Sequence, residues 1–257
     1  MKHRPRKRFG QNFLVDATVV AAIVAAINPA RGERLLEIGP GLGALTRPLL
    51  AAAGHMHAIE IDRDLAAGLR NECGKDLSLH EADVLQFDFG TVGAGLRVIG
   101  NLPYNISTPL LFHLADYADR IRDIHVMLQK EVVERMVAAP ADSNYGRLSV
   151  MLQYRFEMEK LLDVPAAAFA PAPKVESAVV RLTPLRPPPC IARDEALFGR
   201  VVAAAFSQRR KTLRNSLRSM VGPGEFAALG IAPTARAQEL SVAQFVALAD
   251  TVGRREG

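Results

Sequence analysis

The sequence predicts an α/β fold in which a Rossmann-like parallel sheet is followed by a small C-terminal all-helical domain. Short apolar runs alternate with amphipathic stretches, one such run leads into a glycine-rich loop, and a proline-rich segment divides the chain. Strands and helices that alternate at this spacing are typical of βαβ units, and such units build parallel sheets. A repeat with a period of about 20 to 50 residues, which would indicate a solenoid or propeller, is absent.

The predicted elements follow one another in the order expected for a parallel sheet. Arg34–Ile38 is predicted as a buried strand, and the glycines after it lead into a helix over Ala44–Ala53. His55–Glu60 is the next predicted strand, and Asp62 begins the next helix. The remaining predictions are strands Leu77–Glu81, Arg97–Gly100, Ile121–Leu128 and Arg147–Phe156, with a helix over Lys130–Ala138. All of these strands are expected to join one sheet.

The segment Thr183–Cys190 is the predicted domain boundary. Its four prolines are incompatible with a helix interior or a central strand. The first predicted domain is 1–186, with a basic arm over 1–15, and the second is 187–257. Helices are predicted in the second domain at Asp194–Phe206, Arg209–Met220 and Val242–Val252.

The composition is that of a globular protein. Of the 257 residues, 49% are hydrophobic and 23% are charged, which argues against a disordered or fibrous chain. The apolar run at Val19–Ile27 falls short of the roughly 18 residues that a membrane-spanning helix needs, so no membrane association is expected. No obvious exposed apolar stripe is present in the sequence, and we therefore expect a monomer.

No metal site, disulfide or nucleophile is predicted. The two cysteines, Cys73 and Cys190, lie far apart without metal-ligand spacing, which fits a reducing cytoplasm. The six histidines also lack ligand spacing. Ser107 is not in the sequence context of a nucleophile, and we expect it to cap a helix that begins at Thr108.

Basic residues are concentrated in two places. The chain has 32 basic and 27 acidic residues, and its net charge of +5 is compatible with a polyanionic partner. One cluster lies in the first eight residues, and the two clusters together comprise Lys2, Arg4, Arg6, Lys7, Arg8, Arg209, Arg210, Lys211, Arg214 and Arg218. These residues are candidates for phosphate contacts, and a solvated charged surface is the alternative.

The glycine-rich loop Gly39–Gly43 lies where a predicted strand turns into a helix. Glycine lets the backbone approach a ligand closely, and the following helix N-terminus offers free N–H groups. Glu60 closes the next strand about 20 residues later, where a carboxylate can accept hydrogen bonds from the two ribose hydroxyls of an adenosine. The loop and the acid together predict a ligand that contains a nucleoside.

Two ligands compete for this loop. Gly39–Ala44 fits the dinucleotide fingerprint, so an NAD-dependent dehydrogenase is one possibility, and a tight turn without a ligand is another. Glu37 would repel a pyrophosphate, but it could bind the cationic amino-acid tail of S-adenosylmethionine. Asp83 follows a predicted strand and is placed to accept from the adenine amino group. We therefore expect S-adenosylmethionine as the cofactor.

The segment Asn101–Tyr104 follows a predicted strand at its carboxyl end, where open α/β sheets bind ligands. The exocyclic amine of adenine is a poor nucleophile because its lone pair is delocalised into the ring. The Asn101 side-chain oxygen and the Leu102 carbonyl could accept its two N–H groups, while Pro103 fixes the turn. Tyr104 could stack on the purine. The segment indicates methyl transfer to an adenine amine, and an ordinary turn over a packed tyrosine is the alternative.

Together these motifs resemble the ribosomal small-subunit RNA adenine dimethyltransferases, a family related to the erythromycin-resistance RNA methylases. The resemblance covers nearly the whole chain and rests on Lys7–Leu14, the glycine loop, Glu60–Asp62, Asp83–Leu85, Asn101–Tyr104, Phe169–Glu176 and Phe206–Leu213. It implies a class I methyltransferase sheet. It also implies that methyl groups pass from S-adenosylmethionine to N6 of two adjacent adenosines in the 3'-terminal hairpin loop of the small-subunit RNA, during late small-subunit assembly.

The resemblance also implies roles for individual residues. Methyl-donor contacts are implied at Gln11, Asn12, Leu14, Gly39, Gly41, Glu60, Ile61, Asp83 and Asn101. Asn101, Leu102, Pro103 and Tyr104 would form the target-amine site, and Phe169 would be the second aromatic wall around the adenine. With the resemblance, RNA contacts are expected at Arg6, Lys7, Arg8, Arg209, Arg210, Lys211 and Arg214.

Two alternative functions remain open at this point. One is a large-subunit RNA methylase of the erythromycin-resistance type, against which the likeness of Phe169–Glu176 and of the C-terminal basic stretch favours the small subunit. The other is a non-catalytic ribosome-assembly factor that binds RNA. The complete set of Glu37, Glu60, Asp83 and Asn101 argues against it, since a pure binding protein does not need a whole site.

Overall fold

A computed structural model describes residues 11–208, 210–232 and 234–256. These residues form two compact units. The first contains the described residues up to Val133 together with Met158–Pro184, and the second contains Glu134–Glu157 together with the described residues from Leu185 onward. The division predicted from the sequence, at 186/187, differs from these units at residues 185–186 and in residues 134–157, where the chain leaves the first unit and later returns to it.

A seven-stranded sheet forms the centre of the first unit, which also contains a separate two-stranded sheet. The strands are β1 (Phe13–Leu14), β2 (Leu35–Ile38), β3 (Met56–Glu60), β4 (Leu77–Glu81), β5 (Leu96–Asn101), β6 (Ile121–Gln129), β7 (Phe156–Val164), β8 (Phe169–Ala170) and β9 (Ser177–Pro184). The large sheet has the order β4-β3-β2-β5-β6-β9-β7, and β1 pairs with β8 in the small one. The neighbours from β4 to β6 are parallel, and β9 is antiparallel to β6. The predicted α/β class with a mostly parallel sheet is confirmed.

The helices of both units are mostly short. They are α1 (Ala17–Ile27), α2 (Thr46–Ala53), α3 (Arg63–Cys73), α4 (Ser107–Ala115), α5 (Lys130–Val137), α6 (Arg147–Gln153), α7 (Glu195–Ala205), α8 (Leu213–Ser216), α9 (Pro223–Ala228) and α10 (Val242–Glu256). Asp62 caps α3, since its carboxylate accepts from the Asp64 N–H at 3.1 Å. Asp194 caps α7 in the same way, by accepting from the Leu197 N–H at 2.9 Å.

The strand order reverses between β2 and β5, which are neighbours although β3 and β4 separate them in sequence. Ligands of open α/β sheets bind at such a reversal, in the crevice outside the carboxyl ends of the strands. All four residues of β2 are buried, which is typical of a central parallel strand that is covered on both faces. The fold therefore brings the ends of β2 and β5, with the segments that follow them, to one place.

The predicted strand over Arg147–Phe156 is wrong. Residues Arg147–Gln153 form α6, and β7 begins only at Phe156. Leu148, Val150 and Leu152 recur at every second position, which is also the spacing of one face of a strand. The short helix is buried on most of its sides, including at Ser149, so the spacing of its apolar residues carries no helical period.

The second unit is helical, as expected, but two of its elements differ from the prediction. The helix predicted over Arg209–Met220 is reduced to α8, which has four residues. The second difference is α9 itself, a short helix over Pro223–Ala228 that the sequence did not predict. Pro223 occupies the first turn, and the Glu225 carboxylate accepts from the Gly222 N–H at 2.6 Å. Large apolar residues from these helices, Phe198, Phe226 and Phe245 among them, form the core of this unit.

Candidate functional site

A cavity lies at the carboxyl ends of β2, β3 and β5 in the first unit. The lining residues come from five segments, within 11–14, 37–45, 59–65, 82–84 and 101–106. The structure thus brings all nine predicted methyl-donor residues, and the segment Asn101–Tyr104, to one cavity.

The glycine loop has a conformation that other residues rarely adopt. Gly39, Gly41 and Gly43 have φ angles of 66°, 57° and 79°. A Cβ on Gly41 would lie 3.1 Å from the Phe13 ring, and one on Gly43 would lie 2.9 Å from the Leu69 side chain. These glycines are therefore required for the turn and for the close packing around it.

A further glycine lies beside the site, and sequence reasoning gave it no role. Gly100 is in β5, and a Cβ there would lie 2.7 Å from the Ile38 carbonyl oxygen on β2. Real Cβ atoms do not approach a backbone oxygen so closely, so only glycine allows these two strands to pack where the cavity begins. Its sequence signal was one glycine at the end of a predicted strand.

Glu60 joins the glycine loop to the start of α3. Its side chain is only 5% exposed. One carboxylate oxygen accepts from the Gly41 N–H at 3.2 Å, and the other accepts from the Asp62 N–H at 2.9 Å. Burial raises the pKa of Glu60, while these N–H groups act in the opposite direction. The site holds a buried acid whose two oxygens point at the two segments that frame the cavity.

Glu37 is a second buried acid in the same cavity lining. The Thr46 hydroxyl donates to its carboxylate at 2.6 Å, and both side chains are buried. Burial raises the pKa of Glu37 to about 7, and the nearby Glu60 carboxylate adds to this effect. A cation in the cavity would favour the ionised form of Glu37. Sequence reasoning identified Glu37 but not Thr46, because their contact is made between β2 and α2.

Residues 11–14, here called the N-terminal strap, lie along the cavity. The Gln11 side chain donates to the Asp62 carboxylate at 3.2 Å, and the Asn12 carbonyl accepts from the Asn101 side chain at 2.9 Å. Phe13 packs on the glycine loop, and Leu14 pairs with Phe169 between β1 and β8. From composition alone this segment was part of a basic arm, and only the family resemblance placed it at the donor site.

Asn101 and Leu102 have defined orientations. The hydrogen bond to Asn12 engages the amide nitrogen of Asn101, so the side-chain oxygen is the atom that can accept from a ligand. The Leu102 N–H donates to the Met127 carbonyl at 3.1 Å, which ties the segment to β6. A turn closes at Pro103, whose carbonyl accepts from the Ile106 N–H at 3.1 Å.

Tyr104 is half-buried and held at two points. Its hydroxyl lies 2.7 Å from the Ser177 hydroxyl, and its carbonyl accepts from the Ser107 hydroxyl at 3.0 Å. The expectation that Ser107 caps a helix beginning at Thr108 is wrong. α4 begins at Ser107 itself, and the Ser107 hydroxyl accepts no capping bond but donates to the Tyr104 carbonyl.

Asp83 lies at the cavity, whereas Phe169 is packed in the core. Asp83 lines the cavity, and its carboxylate accepts from the Leu85 N–H at 3.0 Å at the start of a short turn. Phe169 is only 4% exposed and packs in the core cluster that also contains Leu14. It is not one of the residues that line the cavity. An adenine-stacking role for Phe169 stays a prediction.

Part of the predicted RNA-binding set lies outside the described residues, namely Arg6, Lys7, Arg8 and Arg209. Arg210, Lys211 and Arg214 are described, and all three are exposed in the second unit. Lys211 also lines a polar surface depression with Arg218. Within the described residues, no cluster of three His, Cys, Asp or Glu side chains is arranged to hold a metal ion. Across the same part of the chain, no helix is long and apolar enough to cross a membrane.

The family model "Ribosomal RNA adenine dimethylase" matches residues 2–253. The chain is 64% identical over 247 residues to the ribosomal RNA small subunit methyltransferase A of Thiobacillus denitrificans, an alignment that covers 96% of this chain and 97% of that protein. It is 58% identical over 255 residues to the protein of the same name from Aromatoleum aromaticum, with 99% and 96% covered.

Two solved structures resemble the fold over nearly its whole length. A dimethyladenosine transferase from Plasmodium falciparum superposes with a TM-score of 0.83 at 25% identity, covering 95% of this chain and 98% of that one. The 23S rRNA methyltransferase ErmE superposes with a TM-score of 0.74, also at 25% identity, covering 94% and 100%.

Proposed function

This chain belongs to the ribosomal RNA adenine dimethylase family, and from that premise we propose that it converts adenosines of the small-subunit ribosomal RNA to N6,N6-dimethyladenosine. Membership in this family excludes the NAD-dependent dehydrogenase that the glycine loop had left open. The choice of the small subunit is supported by relatives at 64% and 58% identity that are named small-subunit methyltransferases. The match to the 23S enzyme is much more distant, at 25% identity.

One observation carries the proposal. A single cavity is lined both by the glycine loop with its two buried acids and by the segment Asn101–Tyr104. A group-transfer enzyme must hold its donor and acceptor next to each other, and holding them there removes much of the entropic part of the barrier. This cavity has the residues for both tasks.

The lining residues fit S-adenosylmethionine as the methyl donor. The Glu60 carboxylate, held between the Gly41 and Asp62 N–H groups, suits the two ribose hydroxyls. Glu37 is a buried acid that would be stabilised by the cationic amino-acid tail. Ile61 is 49% exposed beside Glu60, and it offers an apolar face to the adenine, whose amino group Asp83 would bind. When bound, the donor supplies an electrophilic methyl group on a sulfonium.

The target segment would orient the adenine amine. The Asn101 side-chain oxygen and the Leu102 carbonyl would each accept one amine N–H, which localises the nitrogen lone pair. The Asn12 carbonyl keeps the Asn101 amide in the orientation that this requires. Tyr104 would stack on the base. A strong base is not needed, since an N-methylated adeninium loses its proton readily.

The second unit would hold the RNA. Arg210, Lys211 and Arg214 are exposed, and cations of this kind contact phosphates. The finer parts of the proposal are two adjacent target adenosines in the 3'-terminal hairpin loop and a late small-subunit precursor as the substrate particle. A monomeric state and a cytoplasmic location stay predictions.

Methyl transfer to purified ribosomal particles tests the proposal. Labelled S-adenosylmethionine is supplied with small subunits from a strain that lacks the modification, with large subunits and with naked small-subunit RNA in parallel. We expect N6,N6-dimethyladenosine on small subunits. Label on large subunits alone would assign the protein to the erythromycin-resistance type, and donor binding without transfer to any particle would favour a non-catalytic assembly factor.

A further inference from the structure

The Tyr104 hydroxyl is bound by a residue to which nothing in the sequence pointed. Ser177 lies 73 positions further along the chain, and its hydroxyl oxygen is 2.7 Å from that of Tyr104. Ser177 is fully buried, whereas Tyr104 is half-buried and lines the cavity. The hydrogen bond therefore runs from the packed interior to a ring at the cavity wall.

Ser177 is held rigidly by the sheet. It is the first residue of β9 and is opposite Gln129 in the antiparallel pairing with β6. Just before it, the Glu176 carbonyl accepts from the Lys130 N–H at 3.0 Å. Backbone hydrogen bonds to β6 and to Lys130 thus fix the backbone from which the Ser177 hydroxyl projects.

Tyr104, by contrast, is in the connection between β5 and α4. Its carbonyl is held by the Ser107 hydroxyl, and its ring end is held by Ser177. A ring bound only through its backbone would keep the freedom to rotate about its side-chain torsions, and ordering it later would cost entropy. With both ends bound, the ring orientation is set before a base arrives.

The hydrogen-bond partner of the Ser177 hydroxyl indicates what this serine does. A buried serine can be satisfied by a backbone carbonyl, as Ser149 is by the carbonyl of Arg135. Ser177 instead bonds a side chain, that of a tyrosine that lines the cavity. We propose that Ser177 is a positioning residue for methyl transfer, which fixes the Tyr104 ring in the orientation that stacks on the target adenine. This inference rests on the proposed function, because it takes Tyr104 as the stacking residue.

The test compares Ser177→Ala, Tyr104→Phe and the double variant in single-turnover methyl transfer to small subunits, with donor and RNA saturating. Each single change should lower the transfer rate about three- to tenfold, which is the effect of losing one hydrogen bond between uncharged groups. The double variant should be no slower than either single variant, because the two changes remove the same bond. Donor affinity should be unchanged in all three.

Ser149→Ala is the matched control, since Ser149 is equally buried and lies in the second unit. We expect it to transfer methyl groups at the wild-type rate. A wild-type rate for Ser177→Ala, additive losses in the double variant, or a parallel loss of donor affinity would each overturn the positioning role. Absence of transfer by the unaltered protein would instead overturn the proposed function, so the two failures are distinguishable.

A spectroscopic measurement tests the same inference without RNA. The chain has four tyrosines, so 3-fluorotyrosine labelling gives few ¹⁹F resonances, and Tyr104→Phe identifies the one from Tyr104. In Ser177→Ala that resonance should shift and change in width, because the ring gains freedom. An unchanged Tyr104 resonance would contradict the inference even if the rate fell.

Discussion

The Thr46 hydroxyl donates to the buried Glu37 carboxylate across 2.6 Å, at the point where the helix after the glycine loop begins. Burial of Glu37 would otherwise favour its neutral form strongly, and the hydrogen bond partly opposes this. Glu37 is therefore poised to change its ionisation when a charged ligand arrives. A neutral hydrogen-bonding residue at the same place could not do so.

Donor affinity should depend on pH through Glu37. The pKa of Glu37 in the free protein is about 7, and a cationic donor favours the ionised form, so the bound pKa must be lower than the free one. Affinity then falls as pH drops below the free value. We expect binding to be roughly eightfold weaker at about pH 6 than at about pH 7.5.

Isothermal titration calorimetry measures the donor affinity. Repeating it in two buffers that differ in ionisation enthalpy also gives the number of protons that are released when the donor binds. Glu37→Gln is the control, because it preserves the shape and can still accept from Thr46. It should bind the donor more weakly and lose most of the pH dependence in this range. The same pH dependence in Glu37→Gln would show that another group, or the donor itself, titrates.

Asn101→Ala should nearly abolish methyl transfer, with a rate about 100- to 1000-fold lower, and leave donor binding measurable. The variant removes an acceptor for the target amine, and losing one such preorganised group costs about 100- to 1000-fold in rate. It also frees the Asn12 carbonyl, so a modest loss of donor affinity is expected through the N-terminal strap. Single-turnover rates and donor titration separate the two effects. Near wild-type turnover in this variant would rule out the amine-orientation role.

The parts of the site that depend on short stretches of sequence could be predicted from the sequence. A buried run, a glycine loop and an acid at the end of the next strand placed Gly39, Gly41 and Glu60 correctly at one cavity. Thr46 and Ser177 could not be found in this way, because their roles come from contacts between separate elements. The N-terminal strap was placed by family resemblance alone. The error at Arg147–Phe156 arose because a helix buried on most of its sides has no polar face to reveal its period.

RNA binding should become less salt-dependent when cations of the second unit are removed. Lys211→Ala is expected to weaken binding to small-subunit RNA and to reduce the slope of log affinity against log salt by about 1, since about one phosphate contact is lost. Arg200→Ala, on α7 of the same unit, is a matched control outside the predicted RNA-binding set. Filter binding over a range of salt concentrations measures the affinity and its salt dependence for both variants and the unaltered protein. Equal slopes for Lys211→Ala and the unaltered protein would mean that Lys211 contacts no phosphate.

Gly100→Ala should destabilise the fold and thereby disturb the cavity. A Cβ at this position would lie 2.7 Å from the Ile38 carbonyl oxygen and 2.9 Å from the Leu102 side chain, so β2 and β5 must separate. Overpacking of this kind costs about 1–3 kcal/mol in the free energy of unfolding. Because Leu102 is in the target segment, donor binding and transfer should also weaken.

Gly68→Ala is the matched control for that substitution. Gly68 lies in α3, and a Cβ there would meet no atom within 4 Å. Because alanine has the higher helix propensity, this variant should gain about 0.5–1 kcal/mol in unfolding free energy. Urea denaturation of both variants measures the two opposite shifts. If Gly100→Ala were as stable as the unaltered protein, β2 and β5 would have room for a Cβ beside the Ile38 carbonyl oxygen, in contrast to the 2.7 Å distance. The cavity would then not depend on a glycine at position 100.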